Sequence, residues 1–174
     1  MPRRRLFRAL ALVPVVAAVA AVPALAASSS PSKVTLHTVG KVTFKKNQYL
    51  QDGSHFDQAV VKIKSGGTLT IVEKSGQDHT FSLVSKKDVP KTLNQIGNCN
   101  ICNQIAADHG VTGENTPPTT LLVDKGQAGF DEAGDSVVVP AKKKAKVKVT
   151  AAKGTTLHYI CIIHPWMQGT VQVG

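Results

Sequence analysis

Arginine is missing from this chain after Arg8: all four arginines lie among the first eight residues, and the remainder carries 17 lysines against 11 acidic side chains. Aromatics are scarce too, at 5% of the 174 residues, with a single tryptophan, Trp166. Nucleic-acid surfaces use arginine forks for phosphates and aromatic faces for bases, so the two shortages argue against that class of partner. Methionine occurs only as Met1 and Met167, too few for an open, methionine-rich metal-handling surface. There are three cysteines, Cys99, Cys102 and Cys161. An odd number leaves one thiol unpaired whatever the pairing. No internal repeat is present.

No apolar run makes a strong membrane span. The stretch from Ala9 to Val22 is interrupted by Pro14, and a spanning helix needs roughly 20 apolar residues. That stretch reads as an address instead. Arg3, Arg4, Arg5 and Arg8 precede it and Ala24-Leu25-Ala26 comes after it, the basic, apolar and small-residue regions of a secretory signal. Residues 1–26 are therefore expected to be a signal peptide, with a retained anchor as the alternative. Arg4-Arg5-Leu6-Phe7 partly matches a twin-arginine signal. The expected location is periplasmic or extracellular, with no membrane insertion after cleavage. Residues 27–33, rich in Ala and Ser, are expected to be a flexible leader, and 34–174 one domain.

From Val34 onward the pattern has period two. Val34–Val39, Ala59–Lys64, Thr68–Lys74, His79–Val84, Lys144–Val149, Thr155–Cys161 and Gly169–Val173 alternate or are rich in β-branched residues. Ser65-Gly66-Gly67 between two of them reads as a hairpin turn. Many short antiparallel strands with glycine-rich turns predict an all-β sandwich or barrel. Residues 86–135 break the pattern. Leu93, Ile96, Cys99, Cys102 and Ile105 recur every third position, predicting a partly helical insertion that ends near Gly110, and Thr119–Val123 could form a strand.

The chemistry concentrates in Tyr159-Ile160-Cys161-Ile162-Ile163-His164-Pro165-Trp166-Met167-Gln168-Gly169. Thiolate, imidazole and thioether at three-residue intervals can face one point if the chain turns tightly. This is a soft donor set suited to copper, lacking one histidine for a trigonal His2Cys site with a weak axial methionine. Zinc gains little from a thioether. His79, opening a strand after a polar turn, is placed to supply the missing imidazole.

These residues resemble the copper loop of the cupredoxin (blue type 1 copper) family, in the short Cys-x-x-His-Pro-aromatic-Met form of amicyanin and plastocyanin-like proteins. His79-Thr80-Phe81 resembles the family's upstream histidine segment. The resemblance runs from about His55 to Gly174 apart from the insertion, whose placement is similar to the helical flap of azurin. It implies an all-β, antiparallel Greek-key β-sandwich with a partly helical insertion, and one Cu(I)/Cu(II) ion on His79, Cys161, His164 and Met167. It further implies that Thr80 ties the ligand loops together, that the His164 edge emerges through an apolar surface patch, and that the chain carries single electrons and is not an enzyme. Pro165 stiffens the loop and has no N–H to offer the thiolate.

Copper storage, delivery or sensing is the alternative reading. A copper enzyme would need further histidine clusters, whereas His37, His55, His109 and His158 are scattered singly. Cys99 and Cys102 are expected to form a local disulfide, or else a second redox or metal site with His109. Lys142, Lys144, Lys146 and Lys148 form a row that either protects a sheet edge or docks an acidic redox partner. The chain is expected to act as a monomer.

Overall fold

The computed structural model describes residues 29–113 and 115–174; the expected signal peptide lies outside the described residues. The strands are β1 (Lys33–Val39), β2 (Val42–Lys45), β3 (Tyr49–Asp52), β4 (His55–Phe56), β5 (Val60–Ile63), β6 (Gly67–Glu73) and β7 (His79–Val84). After a helical turn at Lys86–Asp88 come helices α1 (Leu93–Gly97) and α2 (Asn100–Asp108). The chain then forms β8 (Leu122–Val123), β9 (Ser136–Val139), β10 (Lys144–Val149), β11 (Thr156–Ile160) and β12 (Gln168–Val173).

Two sheets face each other, one in the order β10-β6-β1-β4 and the other β5-β12-β11-β7-β9-β8, with β2-β3 as a separate ribbon. The expected β-sandwich with a partly helical insertion is what the chain forms, with one refinement. β1 runs parallel to β6, and β12 parallel to β5.

The expected Gly66-Gly67 hairpin is not formed. β5 and β6 belong to different sheets, so this turn carries the chain across the core. Alternation explains why both readings fit the residues: Val61 and Ile63 on β5, and Leu69 and Ile71 on β6, are all buried, but they meet across the sandwich and not along a ladder. The leader also differs from expectation over its described part. Pro31 and Ser32 carbonyls accept from the N–H groups of Lys64 and Thr68, and Lys33 opens β1.

The main core joins Leu36, Leu69, Ile71 and Val147 of the first sheet to Phe81, Leu83, Tyr159 and Val171 of the second. Every residue of β7 is buried, because the outer face of its sheet is covered by the insertion. There Cys99, Cys102 and Ile105 pack with Val84 and Ile160 into a smaller core. β7 lies between β11 and β9, which sets His79, at its start, beside the end of β11, immediately before Cys161.

Candidate metal centre

Cys161 is the first residue past β11, and the chain turns back at once into β12. The Cys161 N–H donates to the Met167 carbonyl at 3.0 Å and the Met167 N–H to the His164 carbonyl at 2.8 Å. These bonds close the loop that the three-residue spacing required. Gln168 Nε2 donates to the carbonyls of Pro165 and Pro90 at 2.7 and 2.8 Å, which ties the loop to the insertion. Gly169 is demanded by space: a Cβ there would stand 2.3 Å from the Tyr159 hydroxyl and 2.7 Å from the Ala59 carbonyl oxygen.

Across the loop the His79 and His164 rings present Nδ1 to each other at 3.1 Å, with Cys161 Sγ at 3.7 and 3.8 Å from the two nitrogens. All three residues are buried. The circle through the three atoms has a radius of about 2.1 Å, close to a metal–imidazole bond and slightly below the 2.3 Å of a metal–thiolate bond. Met167, wholly buried, belongs to the same core cluster as Cys161. This donor set, two imidazoles and a thiolate with a thioether on the same loop, fits one copper ion. Among the described residues no other group of histidine, cysteine and carboxylate side chains is placed to hold a metal. His37 is bonded to Asp57, His55 to the Gly53 carbonyl, and His109 to Thr120 and Ser136.

The outer nitrogen of His79 is held as firmly. Ser75 Oγ donates to Glu73 Oε1 at 2.6 Å, so it can only accept at its 2.8 Å contact with His79 Nε2. His79 therefore carries its proton on Nε2, and Nδ1 keeps a free lone pair. Glu73 continues the inward parity of Leu69 and Ile71 along β6 and is 3% exposed. Burial raises its pKa, but the Lys142 N–H at 2.6 Å, the Ser75 hydroxyl and N–H, and the Gly76 N–H outweigh it, so that the carboxyl titrates at about 2.

Burial, reinforced by the neighbouring His164, holds His79 down at about 4 against the raising effect of Glu73, Asp52 and Asp78. Burial also lowers His164, opposed by Asp52. Both rings are thus neutral and available as ligands at neutral pH. Burial raises the Cys161 thiol, while N–H groups of Thr80, His164 and Ile163 and the Thr80 hydroxyl pull it down. Thr80 bridges the ligand segments: its N–H points to Cys161 Sγ at 3.3 Å and its hydroxyl accepts from the Ile162 N–H at 2.9 Å.

One expectation is corrected. The His164 edge does not emerge freely, being 8% exposed. Asp52 of β3 lies 3.5 Å from His164 Nε2, and the Trp166 ring meets the imidazole edge-on at 5.2 Å. The apolar surface here consists of neighbours: Trp166 and Ile163 on the loop, and Phe44 and Leu50 on the β2-β3 ribbon, are exposed. Cys99 and Cys102 form a disulfide, and Cys161 is the free cysteine. Glu73, Ser75 and Asp52 escaped sequence reasoning. Of the three, only Glu73 left a signal, as an acidic residue at an inward position of an apolar strand.

No protein-family model matches the chain, and neither does any curated protein sequence. Among solved structures the chain is similar to auracyanin B, at 15% identity over 85% of this chain and 92% of the other with a TM-score of 0.45. It is also similar to auracyanin A, a "blue" copper protein from Chloroflexus aurantiacus, at 20% identity over 82% and 99% with a TM-score of 0.41. A third likeness is oxidised plastocyanin from Dryopteris crassirhizoma, at 13% identity over 81% and 100% with a TM-score of 0.40. Scores this low carry no argument about the site, whose reading rests on its own geometry.

Proposed function

We propose that this chain is an exported mononuclear type 1 copper protein that carries single electrons between redox partners. The observation that supports it is the buried triangle of His79 Nδ1, His164 Nδ1 and Cys161 Sγ, three metal-ligating atoms converging on one point. A copper ion bound there would supply a one-electron Cu(I)/Cu(II) couple. The chain's own contribution is to hold the donors still. His79 is locked through Ser75 to Glu73, Cys161 is held by the Thr80 N–H, and the loop is closed by its own backbone bonds. Donors held in this way need little rearrangement when the charge of the metal changes.

Exchange with a partner would proceed over the short cover above His164, where Trp166, Ile163, Leu50 and Phe44 offer apolar contact. The lysine row suits a partner of acidic surface. Export rests on the sequence of residues 1–26, and no helix among the described residues is long and apolar enough to cross a membrane.

The test is copper titration of the metal-free protein, then visible spectroscopy and voltammetry. One equivalent of copper, an intense thiolate-to-copper band and a reversible one-electron wave are expected. Stoichiometric copper without that band would move the assignment to storage or delivery.

A further inference from the structure

The β2-β3 ribbon belongs to neither sheet of the sandwich. It pairs Val42 with Asp52, Thr43 with Gln51, Phe44 with Leu50 and Lys45 with Tyr49. Every residue from Lys41 to Gln51 is exposed, and Phe44 and Leu50 are 73% and 71% accessible. Of the ten exposed large apolar side chains among the described residues, Val42, Phe44, Tyr49 and Leu50 stand on this ribbon, and Ile163 and Trp166 stand on the metal loop beside it. More than half of the exposed apolar surface is thus gathered at one end of the molecule. The ribbon's apolar side chains cover no core. A two-stranded ribbon is marginally stable by itself, and a contiguous apolar patch of this kind marks contact with something outside the chain.

We propose that the β2-β3 ribbon docks the protein on an anionic phospholipid membrane, with Phe44, Leu50 and Tyr49 in the interface and Lys41, Lys45 and Lys46 against the headgroups. The docking needs no copper; its consequence for electron exchange rests on the proposed copper site.

Charge on the ribbon has one sign. Between Lys41 and Gln51 there are three lysines and no acidic side chain. The carboxylates that follow are engaged elsewhere: Asp52 faces His164 and accepts from the Ser54 N–H, and Asp57 holds His37. A lysine near an anionic lipid surface strengthens binding about fivefold. Its stem can lie along the apolar zone while the ammonium stays among the headgroups.

Shape decides between a membrane and an acidic protein surface. Alternation puts Val42, Phe44 and Leu50 on one face of the ribbon and Lys45 and Tyr49 on the other, and both faces are exposed. A protein surface covers one face of such a ribbon, whereas a bilayer interface surrounds it. The apolar pair Phe44 and Leu50 lies next to the tip, where Asn47 takes φ 58° and the Gln48 N–H donates to the Lys45 carbonyl. Strands of four residues reach roughly 13 Å. That suffices for the pair to enter the 5–10 Å or so that interfacial segments occupy, and falls short of the roughly 9–11 residues of a spanning strand. The docking is attachment to the surface and not a span.

The base of the ribbon is fixed. The Gly53 N–H donates to the Lys41 carbonyl at 3.0 Å, and Gly40, at φ 123°, packs so closely that a Cβ there would stand 2.2 Å from the Gly53 carbonyl oxygen. Trp166 Nε1 donates to the Ser54 carbonyl at 3.1 Å, and Trp166 shares a shallow hollow with Leu50 and Asp52. A membrane engaging the ribbon therefore lies beside the cover above His164, and the redox partner reached from there is one held at the membrane.

Trp166, the single tryptophan, reports the docking in the metal-free protein. On addition of vesicles of phosphatidylglycerol and phosphatidylcholine in equal parts, its emission should shift to the blue and be quenched by brominated acyl chains. Vesicles of phosphatidylcholine alone should bind at least tenfold more weakly. Phe44→Ser with Leu50→Ser, and separately Lys45→Glu with Lys46→Glu, should each weaken binding at least tenfold. Lys146→Glu with Lys148→Glu makes the same change of charge on β10, at the opposite edge of its sheet from β4, and should weaken it by less. Unchanged emission with the anionic vesicles would overturn the proposal and leave the ribbon to an acidic protein surface. Equal losses from the two lysine pairs, or undiminished binding in the serine variant, would overturn it as well. So would sedimentation of the vesicle-free protein as a dimer that the serine substitutions dissolve, since a second copy would then cover the ribbon. The visible band and the voltammetric wave of the copper-loaded protein test the copper reading separately, so either can fail alone.

Discussion

At the scale of single residues, the centre depends on which nitrogen of each ring carries the proton. His79→Ala removes one corner of the triangle, and the thiolate band should disappear from the copper-loaded protein; visible titration checks this, and a band that persisted would mean that another side chain completes the set. Glu73 acts one layer further out. Its carboxyl titrates at about 2 in the fold against 4.5 ordinarily, so its ionised form stabilises the native state at any pH above the ordinary value. That stabilisation, on the order of 3 kcal/mol, is lost as pH falls from about 5 toward 2. Denaturant unfolding of the metal-free protein should show this loss, and Glu73→Gln should flatten it while lowering stability at neutral pH. Cys161, His164 and Met167 were legible in the sequence because one loop carries all three at fixed spacing. Glu73, Ser75 and His109 were not, because their partners lie on other strands or loops and local spacing says nothing about which strands adjoin.

Single elements divide in the same way. β7, β10 and β11 were legible from alternation, and the insertion from its loss. β9 leaves no alternation to read, because all four of its residues are buried: one face meets the main core and the other carries Ser136 toward His109. The β5-β6 turn shows the reverse fault, since a glycine-rich turn between two apolar strands is equally compatible with a hairpin and with a crossing between sheets. The β11-β12 loop permits a quantitative expectation. Gly169→Ala would drive a methyl into the Tyr159 hydroxyl and the Ala59 carbonyl, an overpacking that costs about 1–3 kcal/mol. Thermal unfolding should show the loss in the metal-free protein, where metal ligation cannot mask it. Unchanged stability would show that Tyr159 can give way despite its bond to the Gln58 carbonyl at 2.7 Å.

Over the whole molecule, the charge excess becomes directional once the lysine row is placed. Lys144 pairs with Val72, one residue before Glu73, whereas Lys148 pairs with Thr68 at the far end of β6. With about 3.3 Å of rise per residue, the row leads roughly 13 Å away from the metal centre. Both side chains are exposed on β10, which ends its sheet, so the row protects an edge along its whole length. Only its Lys144 end lies near the ligands. An anionic oxidant such as hexacyanoferrate(III) should therefore be steered toward the centre by Lys144 more than by Lys148. Salt screens such steering over roughly 8–10 Å near physiological strength. The oxidation rate of the reduced, copper-loaded protein should accordingly fall as salt is added. Lys144→Glu should lower both the rate at low salt and its salt dependence, and Lys148→Glu should change each by less, as stopped-flow measurement would show. Equal effects from the two substitutions would mean that the oxidant responds to net charge alone, and the row would then serve the sheet edge and not the approach of a partner.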